Sequence, residues 1–255
     1  MKTIDYSTIF NGKVSGFTYC RFHPVEQDSI VPSMPALGGF IFYGLSTLSD
    51  KKVQCFIDGF NLYHAIHDLK LNHLKWVNLK ALTNIFLQRS EFLSEVHYFS
   101  AIAHHRGVDS ISRHTTYLDA LKAHGITVHL GNFKKKSMSC RNCGNNWKTH
   151  EEKESDVNLA IQLVHQAHID GFDKAYVLTA DSDLLPPMRL IKQIFPNKEI
   201  HVLFPPSRKT YTSELQSIGR YTVIKQKHMV KCLLPEECYY NGNRITRPVC
   251  YTPPP

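Results

Sequence analysis

The sequence predicts an α/β fold of three layers, in which helices cover both faces of a central parallel sheet within a single main domain. From residue 51 onward, short apolar runs of strand length alternate with segments whose apolar residues recur at helical spacing. Strands separated by helical crossovers form parallel sheets that are covered on both faces. The 255 residues suffice for one such domain with additional segments, but not for several large domains.

The first half of this domain is predicted to provide three strands and three helices. The first strand leads directly into Asp58-Gly59, and Leu62 and Ile66 then mark one face of a helix. The third helix ends at Gly125, a common residue just after a helix C-terminus. In chain order, the predicted elements are a strand at 53–57, a helix after residue 59, a helix at 78–88, a strand at 96–102, a helix at 110–123 and a strand at 126–130.

The second half begins with a polar stretch at 131–154, which we predict to be a long loop. Loops of this length inside a compact domain commonly serve a function. A helix is predicted to begin just after Ser155, and it is followed by a strand at 175–179, a helix at 184–194 and a strand at 200–204. The domain is therefore predicted to span residues 51–206.

Two flanking segments carry weaker patterns. Residues 1–50 mix Gly, Pro and Ser with isolated aromatic residues, which predicts a poorly ordered N-terminal extension. Residues 207–255 are predicted to close the domain with one short helix and one strand, and to end in a tail from residue 239.

Acidic residues follow two of the predicted strands. Asp58 comes directly after the first strand, and Asp181 and Asp183 follow the strand at 175–179. Asp156 lies in the first turn of the helix after the long loop. Because binding residues gather beyond the carboxyl ends of parallel strands, we expect these carboxylates to meet in one crevice. Oxygen ligands of this kind suit Mg²⁺ or Mn²⁺, which accept phosphate oxygens as further ligands.

An alternative reading of the same residues is helix capping. An Asp at a helix start is a common N-cap, and for Asp156 or Asp183 alone capping is as good an explanation as catalysis. Taken together, four carboxylates in one crevice would repel one another unless a cation were present. The set as a whole therefore favours a metal site.

The pair Cys140 and Cys143 forms a turn-like knuckle that could supply two thiolates to zinc. A structural zinc site needs four ligands, and His150, His129 and Cys20 are the candidates for completing it. A turn with two free thiols is the alternative, because the sequence contains no second pair of this kind.

The net charge of +8 favours polyanionic partners. Arg106, Arg208 and Lys209 follow predicted strand ends, so they should share the crevice side with the carboxylates and contact phosphates. Tyr63, Trp147 and Tyr211 are candidates for stacking on bases, although such residues more often serve in packing. For any single basic residue, including those of Lys134-Lys135-Lys136, a solvated surface is the alternative.

No segment of the sequence predicts secretion or a membrane span. The seven cysteines are an odd number, and the N-terminus lacks the charged stretch, apolar core and cleavage site of a signal peptide. The apolar run at 36–48 is shorter than the ~20 residues that a spanning helix needs. We therefore expect a cytoplasmic protein with no membrane partner.

Three motifs in order along residues 51–206 resemble the NYN domain family, which belongs to the PIN-like nucleases. These motifs are FIDGFNLY at 56–63, EEKESDVNLA at 151–160 and LTADSDL at 178–184. The resemblance implies a PIN-like fold, with Asp58, Asp156 and Asp181 at the family's acidic positions and Asp183 at the neighbouring one. It also places Asn61 at the family's polar position after the first strand.

Two further residues of the second motif bear on the metal. Glu152 matches an acidic position that is a candidate metal ligand in this resemblance. Glu154 stands where many members of the family have glycine.

By this resemblance the expected activity is that of a metal-dependent endoribonuclease that hydrolyses single-stranded RNA with Mg²⁺ or Mn²⁺. One alternative is a non-catalytic RNA-binding or regulatory module on the same fold, because some PIN-like domains have lost catalysis. Another is a DNA nuclease or flap cutter, because the sequence has no feature that separates the two sugars. The oligomeric state stays open, with a homodimer as one option.

Overall fold

Seven strands form the central sheet of the part of the chain that the structure describes, which comprises residues 50–140, 142–208 and 213–254 of a computed structural model. Across the sheet the strands follow the order β4-β3-β2-β1-β5-β6-β7, and every neighbouring pair is parallel except β3 and β4. The strands are β1 (Lys51–Asp58), β2 (Glu91–Ala101), β3 (Thr127–Ser139), β4 (Asn146–Lys153), β5 (Lys174–Leu178), β6 (Glu199–Phe204) and β7 (Arg220–Val223).

Helices cover both faces of this sheet. They are α1 (Gly59–Asp68), α2 (Leu79–Asn84), α3 (Val108–Ala123), α4 (Ser155–His168), α5 (Leu185–Ile194), α6 (Ser213–Gln216) and α7 (Gln226–Val230). Short 3-10 helices lie at Asn72–Trp76, Ser182–Leu184 and Val249–Tyr251. Among the described residues, no helix has the length and apolar content needed to cross a membrane.

Two hydrophobic cores show why the layers form. Along β1, Cys55 and Ile57 pack with residues of α1, α2 and α3, whereas Phe56 packs with residues of α4 and α5. Successive side chains of a strand point to opposite faces, so an unbroken apolar run fills both cores. The predicted three-layer α/β fold with a mostly parallel sheet is confirmed.

The position of β1 fixes the place of the site. From β1 the sheet grows toward β2 and β3 on one side and toward β5 and β6 on the other. Ligands of open parallel sheets bind at such a switch point, outside the carboxyl ends of the strands. Asp58 ends β1, and Asp181 lies three residues beyond the end of β5.

The prediction of a long loop at 131–154 is wrong, because this stretch forms a β-hairpin. Strand β3 continues through Ser139, and β4 pairs with it from Lys153 opposite Asn132 to Asn146 opposite Ser139. Much of the hairpin is exposed. A strand that buries neither face does not show the alternation of apolar and polar residues by which strands are predicted.

The prediction of an irregular tail from residue 239 is also wrong. Strands β8 (Glu237–Tyr240) and β9 (Asn243–Thr246) form a second hairpin, and Ile245 packs into the core on the side of α1, α2 and α3. The turn is Asn241-Gly242, and both residues have positive φ (50° and 79°). Asn-Gly between strands is a strong signal for a two-residue hairpin turn, so the sequence did contain the information. The predicted extension at residues 1–50 lies outside the described residues, apart from Asp50.

Candidate functional site

A cleft opens at the carboxyl ends of β1 and β5, between α1 and the start of α4. The acidic residues that line it are Asp58, Asp68, Glu152, Asp156 and Asp181. Asn61, His64, Phe60, Ala180 and Arg208 complete the lining. The structure thus brings together three of the four predicted catalytic carboxylates, whereas the exposed Asp183 lies beside the cleft.

Asp58 is the most constrained carboxylate of the cleft, with only 6% of its surface exposed. Its Oδ1 accepts a hydrogen bond from the Asn61 backbone N–H (2.9 Å), so it caps the N-terminus of α1. Its Oδ2 accepts a hydrogen bond from the Thr179 hydroxyl (3.0 Å). Burial raises the pKa of Asp58 to about 7, and the negative charges of Asp156 and Asp181 add to this effect.

Gly59 allows the first helix to begin this close to the sheet. A Cβ atom at this position would lie 2.5 Å from the Phe99 carbonyl oxygen and 2.6 Å from the Tyr98 ring. Since any side chain would collide with β2 here, the Asp-Gly step keeps Asp58 at the strand end.

Thr179 and Asn61 join the two strand ends. The Thr179 hydroxyl donates to Asp58 and accepts a hydrogen bond from the Asp181 backbone N–H (3.0 Å), and Thr179 is fully buried. Asn61 Oδ1 accepts a hydrogen bond from the Ala180 backbone N–H (3.1 Å). Sequence reasoning missed Thr179, although a threonine at the end of an apolar strand and two residues before an acid was a usable signal.

Asp181 and Asp183 occupy different positions in one turn. Asp181 Oδ1 accepts a hydrogen bond from the Asp183 backbone N–H (2.9 Å) and caps the 3-10 helix at Ser182–Leu184. Asp183 is exposed in the first turn of that helix. The alternative of capping for Asp183 itself is therefore not what the structure shows, because Asp181 provides the cap.

The start of α4 separates the roles of the two glutamates in the second motif. Glu152 lines the cleft, and its Oε1 accepts a hydrogen bond from the Ser155 backbone N–H (3.1 Å). Glu154 instead accepts a hydrogen bond from the Asn132 side chain (2.8 Å) and lies outside the lining. Its φ is 81°, a left-handed conformation that favours glycine, so the backbone explains why glycine suits this position.

Of the five carboxylates that line the cleft, only Asp68 forms an ion pair within the described part of the chain. Burial raises the pKa of Asp156, and the charges of Glu152, Asp181 and Asp183 raise it further. Arg208 lines the cleft, but its guanidinium forms an ion pair with Asp68. A cleft whose donors are mainly carboxylate oxygens fits Mg²⁺ or Mn²⁺.

The arrangement also limits how such an ion could be held. Within residues 50–140, 142–208 and 213–254, no group of three His, Cys, Asp or Glu side chains stands close enough to hold a metal ion directly. Mg²⁺ usually keeps several waters and needs only one or two protein carboxylates, so the donors present fit an ion that is held partly through water.

The predicted basic and aromatic contacts fall in three places. Arg106 and Tyr63 line a second cavity beside the cleft. Trp147 is exposed on strand β4 of the first hairpin. Lys209 and Tyr211 lie outside the described residues. Two lysines of the hairpin, Lys134 and Lys136, pair with glutamates, as on an ordinary solvated surface.

Cys140 and Cys143 sit at the tip of the first hairpin. Backbone amides of Cys143 and Asn142 hold the pKa of the Cys140 thiol below its ordinary value. His150 is paired with Lys135 four positions along the strand, about 13 Å from the tip, and His129 contacts His97 within the sheet. Neither histidine can complete a zinc site with the pair, and Cys20 lies outside the described residues.

Comparison with known proteins agrees with the three motifs. The model of the NYN domain matches residues 52–224. A curated relative, 6-hydroxy-3-succinoylpyridine 3-monooxygenase HspA of Pseudomonas putida, is 26% identical, and the match covers 72% of this chain and 70% of the relative. A crystal structure of a protein of unknown function from Vibrio parahaemolyticus shares 18% identity with a TM-score of 0.47, covering 70% of this chain and 95% of that one. Because the family match spans most of the sequence, the chain belongs to the NYN domain family, a branch of the PIN-like nucleases.

Proposed function

We propose that the chain is a metal-dependent endoribonuclease that hydrolyses phosphodiester bonds of single-stranded RNA. The observation that carries the proposal is the crowding of Asp58, Asp156, Asp181 and Glu152 around one cleft, with Arg208 already paired to Asp68. Without a bound cation, the negative charges of these carboxylates would repel one another and destabilise the folded protein. Membership of the NYN family supports nuclease chemistry at this place.

In this proposal Asp58, Asp156 and Asp181 would hold Mg²⁺ or Mn²⁺ partly through bound water, with Glu152 as a further donor. An ion bound there would supply an activated water and would neutralise charge on the phosphate. Asp58 keeps its orientation through the Asn61 amide and the Thr179 hydroxyl. Asp183, outside the cleft, acts through its charge on Asp156 and contributes less than the other three.

The RNA backbone is positioned by groups on the rim. Arg208 would exchange Asp68 for a phosphate, and the Asn61 Nδ2 would donate a hydrogen bond to a phosphate oxygen. Lys209 follows Arg208 in the sequence and would add a further phosphate contact. These contacts fix the strand but do not read its sequence.

The test is cleavage of a labelled single-stranded RNA by the purified full chain with Mn²⁺. Wild type and Asp119→Asn should cleave, whereas Asp58→Asn and Asp181→Asn should each lose at least about 100-fold in rate, as expected when a group that stabilises transition-state charge is removed. Asp119 is the control because its surface pair with Lys122 contributes little. Equal rates in all four proteins would overturn the proposal.

Parallel reactions separate the alternative functions. Faster cutting of a matched DNA or flap substrate would assign the site to a DNA nuclease instead. Tight RNA binding without cleavage, unchanged by the two amide variants, would assign it to a binding module. The monooxygenase activity in the name of the relative needs a redox cofactor, and an oxygen-donor cleft of carboxylates gives no support for that chemistry here.

Zinc is not part of the proposed mechanism. The described residues offer only Cys140 and Cys143 at the hairpin tip, half of the four ligands of a structural site. A zinc ion there would need ligands from elsewhere, for example the same pair in a second copy of a homodimer. Action in the cytoplasm stays a prediction from the sequence.

A further inference from the structure

A second cavity lies beside the carboxylate cleft and shares Phe60 and His64 with it. Its volume is about 120 Å³, well above the ~10–15 Å³ that a single water molecule needs by the same kind of measure. This cavity, which we call the side pocket, is bounded by α1, the end of β2, α3 and the 3-10 helix at Val249–Tyr251. Its size suits one ring system rather than a length of polymer.

Aromatic side chains form much of the wall of the side pocket. They are Phe60, Tyr63, Tyr98, Tyr117, Phe133 and Tyr251. The Tyr98 and Tyr117 rings pack edge to face with centroids 6.2 Å apart, and Tyr117 donates a hydrogen bond to the Val77 carbonyl (2.9 Å), so this side is rigid. Tyr63 is 39% exposed, and its ring stacks on His67 with centroids 6.1 Å apart. Such walls stack well on planar rings.

The charge of the side pocket is opposite to that of the cleft. Three cationic residues, Lys75, Arg106 and Arg113, line it, and its lining includes no Asp or Glu. Among the described residues, the recorded ion pairs involve none of the three. The Lys75 ammonium donates to Asn72 Oδ1 (3.0 Å), lies 3.2 Å from His67 Nδ1 and stands 4.9 Å from the centroid of the Tyr63 ring. The pocket therefore has cations available for an anionic ligand.

Polar side chains also line the side pocket. The Ser100 hydroxyl lies 3.4 Å from His114 Nε2, and Ser110 lies on the same lining. Hydroxyl and imidazole groups can both donate and accept hydrogen bonds, so they can distinguish the edges of different rings. A planar ring with polar edges and an attached anion satisfies all three features of the pocket.

We propose that the side pocket binds the base of one nucleotide of the RNA next to the cleaved phosphate, and thereby sets a base preference. This assignment rests on the proposed nuclease function. The side pocket adjoins the carboxylate cleft, because Phe60 and His64 line both. The base stacks on the aromatic walls, and Lys75, Arg106 and Arg113 hold its flanking phosphate.

One wall of this pocket comes from outside the family domain. Tyr251 lies beyond residue 224, where the family match ends, and its hydroxyl contacts Arg113. The C-terminal segment therefore contributes both an aromatic ring and the position of a cation. Base selection would then be a property of this chain rather than of the family domain alone.

Binding of small probes tests the pocket without metal or cleavage. In EDTA, at least one of AMP, GMP, CMP and UMP should bind the full chain about tenfold more tightly than ribose 5-phosphate, which has the phosphate but no base. Tyr251→Ala and Arg113→Gln should each weaken that binding about tenfold. The matched controls Tyr239→Ala and Arg189→Gln, both exposed elsewhere, should bind like wild type.

Other outcomes would overturn the assignment. Nucleotides that bind no better than ribose 5-phosphate, or a Tyr251→Ala protein that binds like Tyr239→Ala, would remove the base pocket. Tight binding of nicotinate with no nucleotide binding would replace the nucleotide with a free aromatic acid. If Tyr251→Ala unfolds, Arg113→Gln alone decides the result.

Cleavage of a random-sequence RNA pool separates this inference from the nuclease proposal. Wild type should show a base preference at one position near the cut, and Tyr251→Ala, which lacks one of the stacking walls, should show a reduced preference. Nucleotide binding without any cleavage would support the pocket and remove the nuclease. Cleavage without base preference would retain the nuclease and remove the pocket.

Discussion

The two ends of the central sheet differ in how their charged residues are paired. At the amino ends of the strands, Glu91 and Lys174 form an ion pair of 2.9 Å, and both side chains are almost fully buried. Asp173 nearby accepts a hydrogen bond from the Lys52 backbone N–H (2.7 Å), and Lys51 pairs with Glu199. At the carboxyl ends, Asp58, Asp156 and Asp181 line one cleft, and the charges of Asp156 and Asp181 act on Asp58.

This difference separates stability from function within one sheet. Paired charges at the amino end satisfy each other, so removal of one partner should destabilise the protein without altering the chemistry of the folded molecules. Unpaired acids at the carboxyl end repel one another and raise the free energy of the folded state. Proteins retain such repulsion at functional sites, where a bound ligand can relieve it. Four substitutions or titrations test this contrast.

Glu91→Gln should have the largest effect on stability. It leaves the Lys174 ammonium buried without its partner, which costs about 3–5 kcal/mol of the free energy of unfolding. Urea denaturation measures the loss, while the rate of RNA cleavage per folded molecule should not change. The double variant Glu91→Gln/Lys174→Met is the control and should recover much of the loss. Unchanged stability in Glu91→Gln would contradict the role given to this pair.

Asp58→Asn should instead increase the stability of the folded protein. Since burial raises the folded pKa of Asp58 to about 7, well above its ordinary value of 3.8, its contribution is fully present below about pH 4 and is lost as the pH rises through 7. In EDTA at pH 8, the substitution should therefore increase the free energy of unfolding by about 2–3 kcal/mol. Asp119→Asn should change it little. A loss of stability in Asp58→Asn would show that the carboxylate is satisfied within the fold.

His97 lies between the two ends and should make the protein sensitive to acid. Burial lowers its pKa to about 4, and the charge of His129, 3.2 Å away, adds to the effect. Because the folded pKa lies below the ordinary 6.5, the stability is present above pH 6.5 and is lost as the pH falls toward 4. Between pH 7 and 5 we expect a loss of about 1–2 kcal/mol by thermal or urea unfolding, and a smaller loss in His97→Gln. Equal losses in both proteins would assign the sensitivity to other groups.

The smallest effect concerns Glu154, at the rim of the carboxyl end. Its φ of 81° is strained for any residue with a Cβ, whereas glycine adopts it freely. Glu154→Gly should be more stable than Glu154→Ala by about 1 kcal/mol, because both lose the contact with Asn132 and only glycine relieves the strain. Equal melting temperatures of the two variants would show that the backbone there is relaxed.

The fold was predictable where burial imposes a period. The apolar run before Asp58 fills both cores, and the amphipathic α4 was found from its spacing, because packing against the sheet dictates those residues. The hairpin of β3 and β4 was missed, because exposed strands have no such constraint. The turn at Asn241-Gly242 was overlooked, although its sequence specifies the turn.

The site was predictable only in part for a related reason. Strand ends located Asp58 and Asp181, because sheet topology fixes where they meet. The choice of Glu152 over Glu154 depended on the backbone at the start of α4, and the side pocket depended on Tyr251 packing across the fold. Neither relation leaves a local pattern in the sequence.

The central claim is that the carboxylates at the carboxyl end are held together for a divalent cation. The most direct measurement is the affinity of the full chain for Mn²⁺ without RNA, by titration with electron paramagnetic resonance detection at pH 7.5. Wild type and Asp119→Asn should bind Mn²⁺ equally, and Asp58→Asn and Asp181→Asn should each bind at least about tenfold more weakly, the effect of losing one charged ligand. The same weak affinity in all four proteins would contradict the account.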